Sequence, residues 1–331
     1  MRSSGPVDRG VTNNLIVVWI AAFLAGIGLI VWGAEAFAEH LGAASVRLGV
    51  SSFALALLLA GAEPEELATV VVASLRGSPG IALGDVIGAN VAICLVALGV
   101  GAVIAPLPFR ASVMRYATLG LPLGAIAAWM AWDGVVTRLE GTILVGLYIV
   151  YIGAIWIIER RPPALGEVHE LEEAQHAATI PGRERRVGRE LLLVFAGVAA
   201  MAAGASLLVE AVQRITHVES AQTALGLTLV GFATAFELVV LAWSAARRGA
   251  SEAVVAGVVG SFAYNVTMTL GAGALARPLT IVDADSLHLP WVAMLAALCL
   301  VVLLAAPKGQ LGRTTGVVLL VMLVLLARRL P

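Results

Sequence analysis

The sequence predicts an all-α integral membrane protein of ten transmembrane helices, arranged as two inverted five-helix repeats with interrupted helices at the midplane. Three observations carry that expectation. The 331-residue chain is 60% hydrophobic and 13% charged, with a mean hydropathy of +0.95, whereas soluble domains carry about 25% charged residues. Ten apolar runs are long enough to cross a hydrocarbon core of about 30 Å. Finally, the chain repeats itself. Gly33-Ala34 recurs as Gly204-Ala205 and Glu66 as Glu237, at an offset of 171. After a one-residue insertion, Gly88, Gly99, Gly101 and Pro106 recur as Gly260, Gly271, Gly273 and Pro278.

The apolar runs lie at 14–37, 45–75, 80–105, 111–131, 137–158, 188–211, 222–246, 251–275, 289–306 and 314–328. None alternates with the period of a barrel strand, so a helical bundle is the spanning architecture. The second and seventh runs are long and interrupted, as are the third and eighth. Ala36-Phe37-Ala38 imitates a leader cleavage site. The apolar stretch before it exceeds a leader's, and its Gly33-Ala34 end recurs deep in the chain, so the first span is expected to be retained.

The expected division is a first half at 1–158, a cytoplasmic linker at 159–187 and a second half at 188–331. The linker is rich in Glu and Arg, carries Pro162-Pro163 and Pro181-Gly182, and has room for a short surface helix near 167–177. Glu167, Glu170, Glu172 and Glu173 lack the oxygen-ligand spacing of a calcium loop. Of the 21 Lys and Arg residues, thirteen fall on the cytoplasmic side if the N-terminus is outside. The protein is therefore expected in the cell membrane as a multi-pass chain with its N-terminus outside. Cys94 and Cys299 lie within apolar runs without disulfide or metal-site spacing. The five histidines sit near span ends or in the linker and form no ligand motif.

Equivalent spans one and six are separated by an odd number of crossings, so the second half enters the membrane in the opposite sense. Inverted repeats place equivalent residues about an axis in the membrane plane, where Glu66 and Glu237 can share a midplane site. Each lies where its helix is expected to break: Gly61-Ala62-Glu63-Pro64 in the first half and Gly231-Phe232-Ala233-Thr234 in the second. Pro64 removes a backbone donor and frees carbonyls. In the second half the break rests on glycine alone. Gly88 and Gly260 mark further expected bends. Carbonyls beside carboxylates form a hard-oxygen cage suited to sodium or calcium.

A carboxylate at a helix centre costs about 2.5–3.5 kcal/mol on insertion scales. Glu63, Glu66, Asp85 and Glu237 together would cost on the order of 10 kcal/mol if unpaired. No Lys or Arg lies in the neighbouring membrane segments, so cations or protons must neutralise them. Structural alternatives exist: Glu63 and Glu65 fit a helix first turn around Pro64, and Asp85 fits a cap near the Gly84–Gly88 bend.

At these residues the chain resembles the cation/calcium exchanger superfamily, which includes sodium/calcium exchangers and calcium/proton antiporters. The resemblance rests on Glu66-Leu67-Ala68-Thr69 through Leu83-Gly84-Asp85-Val86-Ile87-Gly88-Ala89-Asn90. In the second copy it rests on Phe232-Ala233-Thr234-Ala235-Phe236-Glu237-Leu238 and Gly260-Ser261-Phe262-Ala263-Tyr264-Asn265. It implies ten helices in two inverted halves, with Glu66 and Glu237 as the essential glutamates. Asp85 takes the acid-or-amide position of the following helix, where the second copy has Gly257. The hydroxyl pair before each glutamate becomes Ala62-Glu63 and Ala233-Thr234. The following-helix asparagine becomes Asn90 and, in the second copy, Phe262. Several of the family's hydroxyl ligands are thus missing, and Glu63 adds a carboxylate where serine is usual.

The expected function is a secondary antiporter exchanging Ca²⁺ for Na⁺ or H⁺ by alternating access. The expected cation-binding residues are Glu66, Glu237, Asp85, Glu63, Thr234 and Asn90, with Glu66, Glu237 and Asp85 as the metal ligands. The transported ions are substrates; no cofactor is expected. Inorganic cations and the bilayer are the expected partners, with no nucleic acid, and a monomer should suffice. A monovalent cation/proton antiporter and a degenerate exchanger fold serving as sensor or scaffold stay open. An ion channel would need a continuous pore, and an intramembrane enzyme would need a catalytic constellation that the spans lack.

Overall fold

A computed structural model describes residues 9–48, 63–159, 187–248 and 252–329. It is almost entirely helical. Helix α1 (Arg9–Leu48) precedes α2 (Pro64–Leu75), α3 (Pro79–Ile104), α4 (Ala111–Met130) and α5 (Arg138–Glu159). The second half contains α6 (Val187–Ile215), α7 (Glu219–Thr234), α8 (Phe236–Arg248), α9 (252–276), α10 (Asp285–Ala305) and α11 (Arg313–Ala327). Nine of the ten apolar runs fall on these helices. Residues 49–62 of the second run, Gly61 among them, and the linker helix near 167–177 lie outside the described residues. Among the described residues six helices are long and apolar enough to cross a membrane, or seven if the bent pair α7–α8 counts as one span.

Helices α3 and α9 are the central spans, with 83% and 89% of their apolar windows buried, against 22–39% for α1, α5, α6 and α10. The outer helices instead present Leu24, Ile149, Phe195 and Leu303 outward. A surface this apolar suits hydrocarbon as its solvent. The protein is a multi-pass membrane protein.

Contacts between the halves come in matched pairs. Helices α1 and α6 cross with Gly26 against Gly204 and Gly33 against Gly197; a Cβ on Gly26 would lie 2.8 Å from the Gly204 carbonyl oxygen, and one on Gly33 2.7 Å from that of Gly197. Such backbone approach is how small residues let membrane helices gain dispersion contact without a hydrophobic driving force. Gly316 of α11 meets Gly99 of α3 in the same way, as Gly271 of α9 meets Gly141 of α5. Two short ribbons repeat the pattern. Strand β1 (Leu107–Pro108) pairs with β4 (Gln310–Leu311), and β2 (Val135–Val136) with β3 (Leu279–Thr280), both antiparallel. Each half lends one strand to each ribbon. Gly134 and Gly309, at φ 80° and 60°, supply the left-handed turns beside β2 and β4.

The helix irregularities also recur. A π-turn spans Ile93–Ala97 in α3 and Asn265–Thr269 in α9, 172 residues apart. A third occupies Gly226–Val230 in α7. These positions correct three of the expected glycine breaks. The α-helix runs unbroken through Gly88 and through Gly260, and the irregularity follows five residues after each. Gly231 is likewise helical, and the chain breaks only after Thr234. Gly88 and Gly231 serve close packing instead: a Cβ on Gly231 would sit 2.6 Å from the Ala89 amide, and one on Gly88 would strike the Leu227 carbonyl.

Candidate functional site

At the first expected break the helix start forms as the sequence dictates. Pro64 opens α2, where its missing N–H is no loss. Glu63 stands before it with extended backbone, φ −117° and ψ 85°, as the residue preceding proline must. Its side chain makes no capping bond. Glu65 and Glu66 follow in the first turn, where the positive end of the helix dipole favours acids. Glu63, Glu65 and Glu66 are each no more than 1% exposed.

The second break lies between α7 and α8, which bend by 40° at Ala235. Ala235 aligns with Pro64 at the offset of 171. Thr234 ends α7 and is buried; Glu237, in the first turn of α8, is half-buried. Opposite stands Asp85, wholly buried in mid-helix and therefore no cap. The Thr234 hydroxyl donates to Asp85 Oδ1 at 2.9 Å, tying the second break to α3.

The acids gather around these breaks. Glu66 has Asp85 and Glu65 as acidic neighbours, with the Asn265 amide beside it. Glu65 faces Glu63 and Glu237, and so links the Glu66–Asp85 side to the Glu237 side. Glu63 accepts a hydrogen bond from the Ser261 hydroxyl at Oε1. Asn90 is fully buried; its amide donates to the Val86 carbonyl at 3.0 Å, and its Oδ1 has no partner among the described residues. Behind the acids stands an aromatic wall: Tyr264 neighbours Glu63, Glu65 and Glu66, and Tyr148 meets it edge-on at 5.3 Å. No ion pair reaches Glu65, Glu66 or Asp85 among the described residues.

No three His, Cys, Asp or Glu side chains among the described residues converge closely enough to hold a metal ion together. Glu66, Asp85 and Glu237 are thus near the same breaks but not drawn into one three-ligand group. Sequence reasoning passed over Glu65, Ser261 and Asn265. A signal for the last two existed: they stand four apart in an apolar helix, which puts both on one face. Glu65 was obscured by its fit to an ordinary helix first turn.

Such an arrangement suits small hard cations. Buried carboxylates, hydroxyls and amides offer oxygen ligands, and the charge of Glu65, Glu66 and Asp85, which no ion pair reaches among the described residues, calls for cations or protons to offset it.

Comparison with known proteins is consistent with this chemistry. The sequence model of the sodium/calcium exchanger protein family matches twice, at residues 18–157 and again at 190–328. An uncharacterized membrane protein of Methanocaldococcus jannaschii is 23% identical over 94% of this chain and 97% of its own length. The sodium/calcium exchanger MaX1 of Methanosarcina acetivorans is 25% identical over 92% of this chain and 96% of its own. A solved structure of the sodium-calcium exchanger NCX_Mj, soaked with Na⁺ and Sr²⁺, superposes with a TM-score of 0.58 at 22% identity, covering 96% of this chain and 99% of that one. At that identity the likeness speaks for the fold.

Proposed function

The chain belongs to the sodium/calcium exchanger protein family, and from that premise we propose that it is a secondary active antiporter exchanging Ca²⁺ for Na⁺ or H⁺ by alternating access. The observation that carries this reading is the set of four wholly buried carboxylates, Glu63, Glu65, Glu66 and Asp85, gathered at two helix breaks; among the described residues no ion pair reaches Glu65, Glu66 or Asp85. A permanently buried charge of that size is untenable unless mobile cations or protons neutralise it. Glu66, Asp85 and Glu237 are its principal ligands, assisted by Glu63, Thr234 and Asn90. Carbonyls freed at the breaks contribute to the six to eight oxygens that calcium takes.

Ten crossings in two inverted halves, 1–158 and 188–331, complete the proposal. The N-terminus lies outside and 159–187 is a cytoplasmic linker. Paired glycine contacts, paired ribbons and π-turns 172 residues apart support the repeat. Helices α1 and α6, which cross through glycines, move as the gate. The ions are substrates, and one chain suffices.

Monovalent cation/proton exchange is a second reading, favoured by the approach of the Glu63 and Glu65 carboxylates. Two carboxylates in contact share a proton more readily than they tolerate two charges. Uptake into proteoliposomes under imposed Na⁺ or H⁺ gradients separates the readings. Ca²⁺ uptake driven by either gradient is expected. Flux that ignores both gradients would refute antiport, and proton-driven Na⁺ or K⁺ uptake without Ca²⁺ uptake would select the second reading.

A further inference from the structure

The duplication that pairs Glu66 with Glu237 also pairs two charges that the cation site does not use. At the same offset of 171, Arg76 recurs as Arg247 and Glu39 as Glu210. One combination of these charges is joined: Arg76 Nη1 lies 3.2 Å from Glu210 Oε2, bridging the end of α2 and the last turns of α6. Exchanging the two halves turns that pair into Arg247 and Glu39. Arg247 instead has its guanidinium over the Trp243 ring, 5.0 Å from the centroid, and no ion pair to it occurs among the described residues.

Helices α1 and α6 run antiparallel, with Gly26 on Gly204 and Gly33 on Gly197. In that register Arg214 lies over Trp19, 5.4 Å from its centroid, so Glu210 sits at the Trp19 end of α1. Glu39 lies roughly 28 Å further along the axis at 1.5 Å per residue, close to the hydrocarbon thickness of about 30 Å. At the Glu39 end, His40 Nδ1 and Glu190 Oε2 join the two helices at 2.7 Å. The pair is therefore one body with a carboxylate at each end.

We propose that Arg76–Glu210 and Arg247–Glu39 are alternating latches, each fastening the α1–α6 pair to the bundle at one face, with only one closed at a time. Displacing the pair along its axis carries both carboxylates the same way, towards one arginine and away from the other. The ion pair is duplicated, but its reinforcement is not. Gln213 Nε2 donates to the Ser78 hydroxyl at 2.6 Å, and Arg214 reaches Glu210 at 3.2 Å. The counterparts of Gln213 and Arg214 are Gly42 and Ala43. The Arg76 latch is thus the stronger and sets the resting position. An exposed ion pair shifts an equilibrium by only about two- to fivefold, enough to set a preference without immobilising the gate.

This deepens the exchange reading and rests on its moving α1–α6 pair, but the test reads positions rather than flux. Arg76→Cys with Glu210→Cys, and Arg247→Cys with Glu39→Cys, are placed in the full-length protein. A short reducible bifunctional thiol reagent is added, and bridged peptides are identified by mass, which separates them from Cys94 and Cys299. Each pair should be bridged in its own variant. With all four cysteines present, a molecule should carry one bridge or the other, never both. Adding Glu210→Gln to the Arg247→Cys, Glu39→Cys variant should raise its bridge yield about two- to fivefold; this also carries the test if the four-cysteine variant fails to fold. A second bridge that never forms, two bridges in one molecule, or a yield indifferent to Glu210→Gln overturns the inference. In vesicles either bridge should stop exchange until it is reduced. Wild-type vesicles that exchange nothing, combined with mutually exclusive bridges, would refute the transport reading and leave the latches standing.

Discussion

The two helix breaks occupy equivalent places in the two halves and are built by different means. In the first, proline sets the break and Glu63 before it is extended. In the second no proline is present, Thr234 stays helical, and the chain turns by 40° at Ala235. The chemistry differs as well. Three carboxylates crowd the first break, while the second offers one hydroxyl and the half-buried Glu237, next in sequence to the exposed Phe236. The location of the second break is therefore not the property of a local helix breaker. It follows from what the helix packs against, as Gly231 is held on Gly88 and Ala89 up to the last turn before the bend.

The largest expected effect tests whether the two breaks share one task. Glu66→Gln and Glu237→Gln should each lower exchange in proteoliposomes by at least about 100-fold, roughly 2.7 kcal/mol. Loss in Glu66→Gln with near-normal flux in Glu237→Gln would confine the cation to the first half.

Next come the breaks themselves. Ala235→Pro should cost about 3 kcal/mol or more, because it deletes the Ala235 N–H bond to the Gly231 carbonyl and forces Thr234 out of its helical conformation. Pro64→Ala should cost only about 0.4–1 kcal/mol, since Glu63 is already extended. Thermal unfolding of the purified variants measures both, and equal losses would contradict two separate means of breaking the helix.

A smaller effect is expected from Thr234→Val. It strips Asp85 of its hydroxyl donor in a buried setting, at about 1–3 kcal/mol. An unchanged melting temperature would mean that the Thr234–Asp85 bond does not hold the second break to α3. The smallest concerns Gly28, whose counterpart is Ala199. A Cβ there meets nothing within 4 Å, so Gly28→Ala should stabilise α1 by about 0.5–1 kcal/mol. A fall in melting temperature would show that α1 needs its glycine for something other than packing.

Much of this was legible in the sequence. Apolar run length located nine runs that fold as helices, because a hydrocarbon core admits few other solutions. The duplicated glutamates marked both breaks, and Pro64 opened α2 as proline chemistry requires. Other features were illegible for physical reasons. Gly88, Gly231 and Gly260 read as breakers because glycine weakens an isolated helix, yet Gly88 and Gly231 serve interhelical approach. The π-turns have no composition signal at all. Glu65 read as a routine first-turn acid, since nothing in its own stretch reveals that α1 and α6 close over it.

The sequence by itself determined membrane residence, the repeat and the identity of its acids, because transfer energies and periodicity are properties of the chain alone. Tertiary structure decided which acids meet. It paired Asp85 with Thr234 and Glu63 with Ser261, and set Glu65 between Glu63 and Glu237. Those pairings join residues as many as 198 positions apart. They depend on how closely glycine faces let the helices approach, which no local pattern encodes.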